Sequence, residues 1–215
     1  MSPALKLAVL ISGNGSNLQS IIDAIESGRL NAEIKAVISN KRQAYGLLRA
    51  TQHGLHTWVL DHRECESRDR FDDLLQHYLE AIAPDYIVLA GFMRILGPRF
   101  IQAFENRILN IHPSLLPAYK GLNTHQRALD NHENEHGVSI HLVTAELDDG
   151  PVILQASYPI EAGDSAEDLQ RKGHRLEHQM YPRLLDWLSN RKLVIEKGQL
   201  FYEQALLEKP IQFEA

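Results

Sequence analysis

The chain is short of several things, and each shortage narrows what it can be. It holds one cysteine, Cys65, in 215 residues, which excludes a disulfide framework and any zinc site built from several thiolates within the chain. Basic residues are not in excess: 22 Lys and Arg against 28 Asp and Glu leave a formal charge of −6, the reverse of the basic face expected of a nucleic-acid binder. No apolar run approaches the roughly 20 residues of a membrane-spanning helix. The first residues lack the basic leader and small-residue cleavage site of a signal peptide. The expectation is a cytoplasmic enzyme or small-molecule binder, with neither nucleic acid nor membrane as partner. At roughly 150 residues per domain, the length predicts a single domain spanning 1–215, long enough to bury about 70% of its unfolded surface without staples.

Short apolar runs alternate with amphipathic stretches through the first half. Residues 7–11 are continuously apolar, as in a strand buried on both faces. Leu18, Ile21, Ile22 and Ile25 then fall at i, i+3, i+4 and i+7, the stripe of a helix packed on a sheet. Strands are expected over 34–39, 56–60, 86–90 and 108–111, and helices over 45–52 and up to Pro84. Such alternation implies right-handed crossovers and an α/β fold with an open, doubly wound, mostly parallel sheet. After residue 111 the pattern changes. Residues 112–136 are polar, with one short helix near 124–129, and read as a functional loop. Segments 137–144 and 151–160 form an expected antiparallel pair, followed by a long helix capped by Ser165 with Asp168. Residues 193–201 are expected to add an edge strand.

Three places can carry chemistry. The first strand runs into Ser12-Gly13-Asn14-Gly15-Ser16-Asn17 and a helix, where exposed N–H groups favour an anion. No Gly-Lys-Ser/Thr follows, and Leu18 stands where a dinucleotide fingerprint would have its third glycine. A monophosphate is the better match, the structural reading being a tight turn with Asn17 as helix cap. Asn110 and His112 share one face at the carboxyl end of a strand. An amide can steady a developing oxyanion, and an imidazole can move a proton near neutral pH. Asp148 lies in a turn before Gly150-Pro151, and beside His112 it would favour the cationic ring and orient it. A plain turn and a strand-end histidine are the alternatives.

One rival motif competes. His174-Arg175-Leu176-Glu177-His178 matches the His-x-x-Glu-His pattern of inverted zinc metallopeptidases. Eleven histidines make chance spacings common, and a zinc site needs a third ligand and an open position. No metal is expected. Cys65 lies between Glu64 and Glu66, which disfavours its thiolate and with it a nucleophilic role.

Four segments together resemble the phosphoribosylglycinamide formyltransferase family of folate-dependent formyltransferases. They are Val9 to Leu18, Leu89 to Leu96, Asn110-Ile111-His112-Pro113-Ser114-Leu115-Leu116-Pro117, and Glu146-Leu147-Asp148-Asp149-Gly150-Pro151 through Gln155. The resemblance implies a Rossmann-like formyltransferase fold, with a phosphate-binding half at about 1–105 and a folate and catalytic half at about 106–215. It implies formyl transfer from 10-formyltetrahydrofolate, as co-substrate, to the amine of glycinamide ribonucleotide in purine synthesis. Asn110, His112 and Asp148 match the catalytic trio. Gly15, Ser16, Asn17 and Glu177 match positions holding the ribonucleotide, and Arg68, Met93, Arg94, Ile95, Leu96 and Asn110 those meeting the folate. Partners are then small molecules, with a homodimer left open. Three positions depart from the family pattern: Lys120 where Pro is common, Asn123 where His is frequent, and Asp149 where Gly is frequent.

Overall fold

The computed structural model describes residues 3–214. The first half winds β1 (Leu5–Ile11), α1 (Ser16–Glu26), β2 (Ala32–Ser39), α2 (Tyr45–Gln52), β3 (Thr57–Val59), α3 (Arg68–Ile82), β4 (Tyr86–Leu89), α4 (Pro98–Ala103) and β5 (Ile108–His112). The second half runs α5 (Thr124–Asp130), β6 (Glu135–Leu142), β7 (Val152–Pro159), α6 (Ala166–Ser189), β8 (Leu193–Glu196), β9 (Gln199–Tyr202), β10 (Ala205–Leu206) and β11 (Ile211–Gln212). Eight strands make one sheet in the order β11-β7-β6-β5-β4-β1-β2-β3. Strands β1 to β5 pair in parallel, and β6 enters antiparallel to both β5 and β7. This is the expected α/β sheet with its antiparallel element in the C-terminal half.

Burial explains the order. Leu7, Val9 and Ile11 face the core beneath α1 and α6, while Ala8 and Leu10 face the core beneath α3 and α4. A strand apolar on both sides can only sit centrally, with helices above and below. The reversal of chain direction across the sheet falls between β1 and β4. That is where open α/β sheets leave a crevice at the carboxyl ends of their strands. Helix α6 closes that side: Ser165 caps it in a capping box with Asp168, as the sequence suggested. Its Tyr181 is fully buried, with the hydroxyl donating to the Leu89 carbonyl at 2.9 Å and lying 3.1 Å from that of Leu109. Burial and the nearby Glu177 carboxylate keep this phenol protonated, with its pKa well above the usual value.

The tail differs from expectation. Residues 193–201 do not extend the main sheet; β8, β9 and β10 form a separate three-stranded antiparallel sheet. Lys197 and Gly198 both take positive φ, 51° and 77°, the turn that closes a two-residue hairpin. Local pairing satisfies these backbones, and the edge beside β7 is taken instead by β11, in parallel. The short helix α4 was also unanticipated, its six residues being too few for a readable period.

Replacing Tyr181 with Phe should remove the hydroxyl tie between α6 and the two central strands. The expected loss is about 1–2 kcal/mol, read from urea midpoints of the Tyr181→Phe variant against wild type.

Candidate active site

The trio assembles as the sequence suggested. Asn110 and His112 end β5, and Asp148 sits in the β6–β7 turn with φ of +49°, a conformation aspartate tolerates better than most residues. Its Oδ2 lies 3.4 Å from His112 Nδ1 and accepts the Gly121 N–H at 2.9 Å. On the far side of the imidazole, Nε2–H donates to the Tyr119 carbonyl at 2.9 Å. A carbonyl can only accept, so the Nε2 proton is assigned, and Nδ1 is the nitrogen that gains or loses a proton. An ionised carboxylate opposite Nδ1 also can only accept. The pair is therefore complementary when His112 is cationic.

One member was missed by sequence reasoning. In the antiparallel register of β5 and β6, His141 stands directly opposite Asn110. Its Nδ1–H donates to the Leu142 carbonyl at 2.8 Å, so Nε2 is left to accept from Asn110 Nδ2–H at 3.1 Å. Burial depresses the His141 pKa, with the Leu142 bond and Asp148 opposing. A neutral ring thus orients the Asn110 amide and leaves its second N–H available. Sequence alone pairs 137–144 only with 151–160; that the same strand also lies antiparallel to 108–112 is what brings His141 to Asn110.

The expected phosphate loop lies beside the trio. Gly15, with φ of +73°, is the N-cap of α1, and no side chain caps the helix. Asn17 is not the cap. It lies in the first helical turn, where its amide N–H donates to Glu177 Oε2 at 2.7 Å. A residue inside the turn cannot serve the amides that precede it. Ser16, Asn17 and Leu18 therefore open the helix with N–H groups that have no helical acceptor. Glu177 is buried, and burial raises its pKa against the opposing Asn17 bond and the charges of His174 and His112. The metallopeptidase-like string does not converge: Glu177 turns to Asn17 while the His174 and His178 rings stack on each other 6.0 Å apart. Among the described residues no three His, Cys, Asp or Glu side chains are arranged to hold a metal ion.

The positions matched to folate contacts form the wall after β4. Met93 and Ile95 are exposed, 64% and 56%, and face water with apolar side chains. Arg68 donates to the Ile95 carbonyl at 2.8 Å, and Arg94 lies over the Phe71 ring at 4.3 Å. Leu96 is different: its side chain is in the core with Phe71 and Phe100. Leu122 and Leu147 add two more exposed apolar side chains on the loops that flank Asp148. Exposed apolar side chains that gather into a patch mark interaction surfaces more often than chance exposure does.

Two of the three departures from the family pattern turn out to be one interaction. Lys120 Nζ pairs with Asp149 Oδ1 across the two loops, so the extra acidic charge beside Asp148 arrives with its own counter-ion. Asn123 takes φ of +57° as the residue before α5. The loop over 112–136 is tied down further by Thr124 Oγ1 donating to the Pro113 carbonyl at 2.6 Å and Ser114 Oγ to Ala118 at 2.7 Å.

The sequence pattern of the formyl transferase family matches residues 5–185. The chain belongs to that family. Among its relatives, this formyl transferase is 50% identical over 194 residues to the phosphoribosylglycinamide formyltransferase of Escherichia coli K12, covering 90% of this chain and 92% of that one. It is 46% identical over 204 residues to the enzyme of the same name from Haemophilus influenzae, covering 95% and 96%. A solved phosphoribosylglycinamide formyltransferase from Coxiella burnetii superposes with a TM-score of 0.93 at 48% identity, covering 98% of this chain and 100% of that one. The glycinamide ribonucleotide transformylase 1 from Symbiobacterium toebii does so at 0.88 and 42%, covering 93% and 94%.

Acid should loosen the site's surroundings. His125 lies 3.1 Å from His136, ring nitrogen to ring nitrogen. Burial, followed by the charges of His136, His174 and His112, lowers its pKa to about 4, and burial lowers that of His136 against its bond to Pro113 and the charge of Glu133. Unfolded histidine titrates near about 6.5, so between there and about 4 the unfolded state binds more protons and stability falls with falling pH. Urea midpoints at about pH 7.5 and about pH 5 check this; His125→Gln should flatten the dependence.

Proposed function

We propose that this formyl transferase moves a formyl group from 10-formyltetrahydrofolate to the primary amine of 5-phosphoribosylglycinamide, a step of purine synthesis. One observation carries the reading: an amide donor, an imidazole and a carboxylate come together at the carboxyl end of β5, in a fold that also opens α1 with uncapped N–H groups and exposes apolar side chains after β4. The relatives' names agree with it. Folate enters here as co-substrate, and the exposed apolar side chains of Met93, Ile95, Leu122 and Leu147 suit its rings, with the Arg68 guanidinium, anchored on the Ile95 carbonyl, as the cation for its carboxylates.

The uncharged glycyl nitrogen adds to the formyl carbon, forming the new C–N bond and sending the carbonyl electron pair to oxygen. The second N–H of Asn110 donates to that oxygen, and the positive charge of His112, paired with Asp148 at Nδ1, offsets it electrostatically. Asp148 supplies the counter-charge that steadies the imidazolium, and the Tyr119 carbonyl holds its ring plane. Collapse restores the carbonyl and breaks the bond to the folate N10, which takes a proton derived from the attacking amine. Both reactants are held in one crevice, so the step is effectively intramolecular. Glu177 and the N–H groups at the start of α1 bind the ribose and phosphate, which make no bond in the reaction.

The test is an absorbance assay for the deformylated folate, run with and without glycinamide ribonucleotide. Release that depends on the ribonucleotide and yields its formyl derivative supports the reading; formate formed without it would identify a hydrolase instead. His112→Ala and Asn110→Ala should each lower kcat/KM by about two to three orders of magnitude, roughly 3–4 kcal/mol of barrier, with circular dichroism unchanged. Near-normal turnover in both would remove the assignment.

A further inference from the structure

The loop between β1 and α1 is gripped from behind by α2, and that grip has a consequence for what the loop presents in front. Gly46, in the first turn of α2, donates its N–H to the Gly13 carbonyl at 3.0 Å. A Cβ on Gly46 would lie 2.6 Å from Ile11 Cδ1 and 3.1 Å from Gly15 Cα, and a Cβ on Gly15 would lie 2.7 Å from Gly46 Cα. Two glycines back to back therefore let helix and loop touch backbone to backbone. One turn further along α2, Arg49 spans the next residue of the loop. Its Nε donates to the Asn14 carbonyl at 3.0 Å, one terminal nitrogen to Asn14 Oδ1 at 3.1 Å, and the other to Gln19 Oε1 at 3.3 Å, within α1.

A trans peptide plane points its C=O and its N–H in opposite directions. Drawing the carbonyls of Gly13 and Asn14 back to α2 therefore turns the N–H groups of Asn14 and Gly15 away from it. They then point out of the loop on the side opposite α2. The left-handed Gly15 followed by helical Ser16 continues the run of amides, the concave arrangement that holds anions. We propose that Arg49 is a positioning residue for phosphate recognition: it touches no substrate and acts by fixing the direction of the Asn14–Gly15 peptide. The inference rests on the proposed reading that this loop receives the 5′-phosphate of the substrate.

A fork is required for this, since an ammonium on a flexible stem cannot hold both Asn14 oxygens and Gln19 at once. Steady-state kinetics of Arg49→Gln should give a KM for glycinamide ribonucleotide raised about tenfold or more, as for loss of charge-assisted hydrogen bonds, with kcat within about twofold. Arg49→Lys, which keeps the charge, should recover little of that loss. The dephosphorylated nucleoside should be used equally well by all three proteins. Calorimetry with ribose 5-phosphate supplies a readout independent of turnover, with binding weakened in both variants. An unchanged KM in Arg49→Gln, full recovery in Arg49→Lys, or an equal loss with the nucleoside overturns the proposal, as does wild type that fails to bind ribose 5-phosphate. Wild type that binds ribose 5-phosphate, with Arg49→Gln weakened, yet transfers no formyl group would instead refute the proposed reaction and leave the role of Arg49 intact.

Discussion

The imidazole of His112 is held from both sides, and most of what surrounds it is arranged to keep it so. The Tyr119 carbonyl takes the Nε2 proton and Asp148 stands against Nδ1. A buried ring with both nitrogens committed can neither flip nor tautomerise without losing a hydrogen bond in a place where water cannot replace it. The constraint reaches outward along two chains. The carbonyl belongs to residue 119, so the long loop must be folded down for the ring to be set. The carboxylate is itself fixed by the Gly121 N–H from that same loop. Loop and trio are thus one unit.

The sheet supplies the other half of the geometry. Parallel pairing brings β1, β4 and β5 to a common carboxyl edge, and the antiparallel entry of β6 sets His141 opposite Asn110. A parallel neighbour in the place of β6 would align a different residue there, and the amide would lose the acceptor that orients it. Helix α6 then crosses to α1, where Glu177 meets Asn17. That bond joins the loop after β1 to the helix that packs over the central strands. It is buried, so losing either partner would leave a polar group unsatisfied where water cannot replace it.

Magnitude separates the contacts that decide the site from those that decorate it. The Lys120–Asp149 pair is exposed, 37% and 52% for the two side chains, and pairs of that kind contribute about 0–1 kcal/mol and weaken with salt. Its chief effect is to cancel a charge next to Asp148 rather than to hold the loops shut. The bonds from the buried residues Thr124, Ser114 and Ser139 to loop carbonyls do the holding. Two unusual residues therefore leave the trio's surroundings nearly neutral, each offsetting the other.

Much of this was legible in the chain. Periodicity located the central strands and most of the helices within a residue or two, because burial on both faces or on one stripe leaves a pattern in consecutive side chains. The motifs placed Asn110, His112, Asp148 and Glu177 at strand ends, a turn and a helix. What the pattern could not carry were relations between distant segments. The register that pairs His141 with Asn110, the meeting of Lys120 with Asp149, the turn of Glu177 toward Asn17, and the hold of Arg49 on Asn14 join residues 29 to 160 positions apart. The hairpin of the tail escaped for a related reason: its pairing is local, but which edge it leaves free depends on β11. Sequence determined which residues could perform the chemistry, since that is a property of each side chain and its immediate neighbours. Tertiary structure alone decided which nitrogen of His112 meets the Tyr119 carbonyl and which meets Asp148, and which way the Asn110 amide faces, because hydrogen-bond direction is fixed only when the partner arrives from elsewhere in the fold.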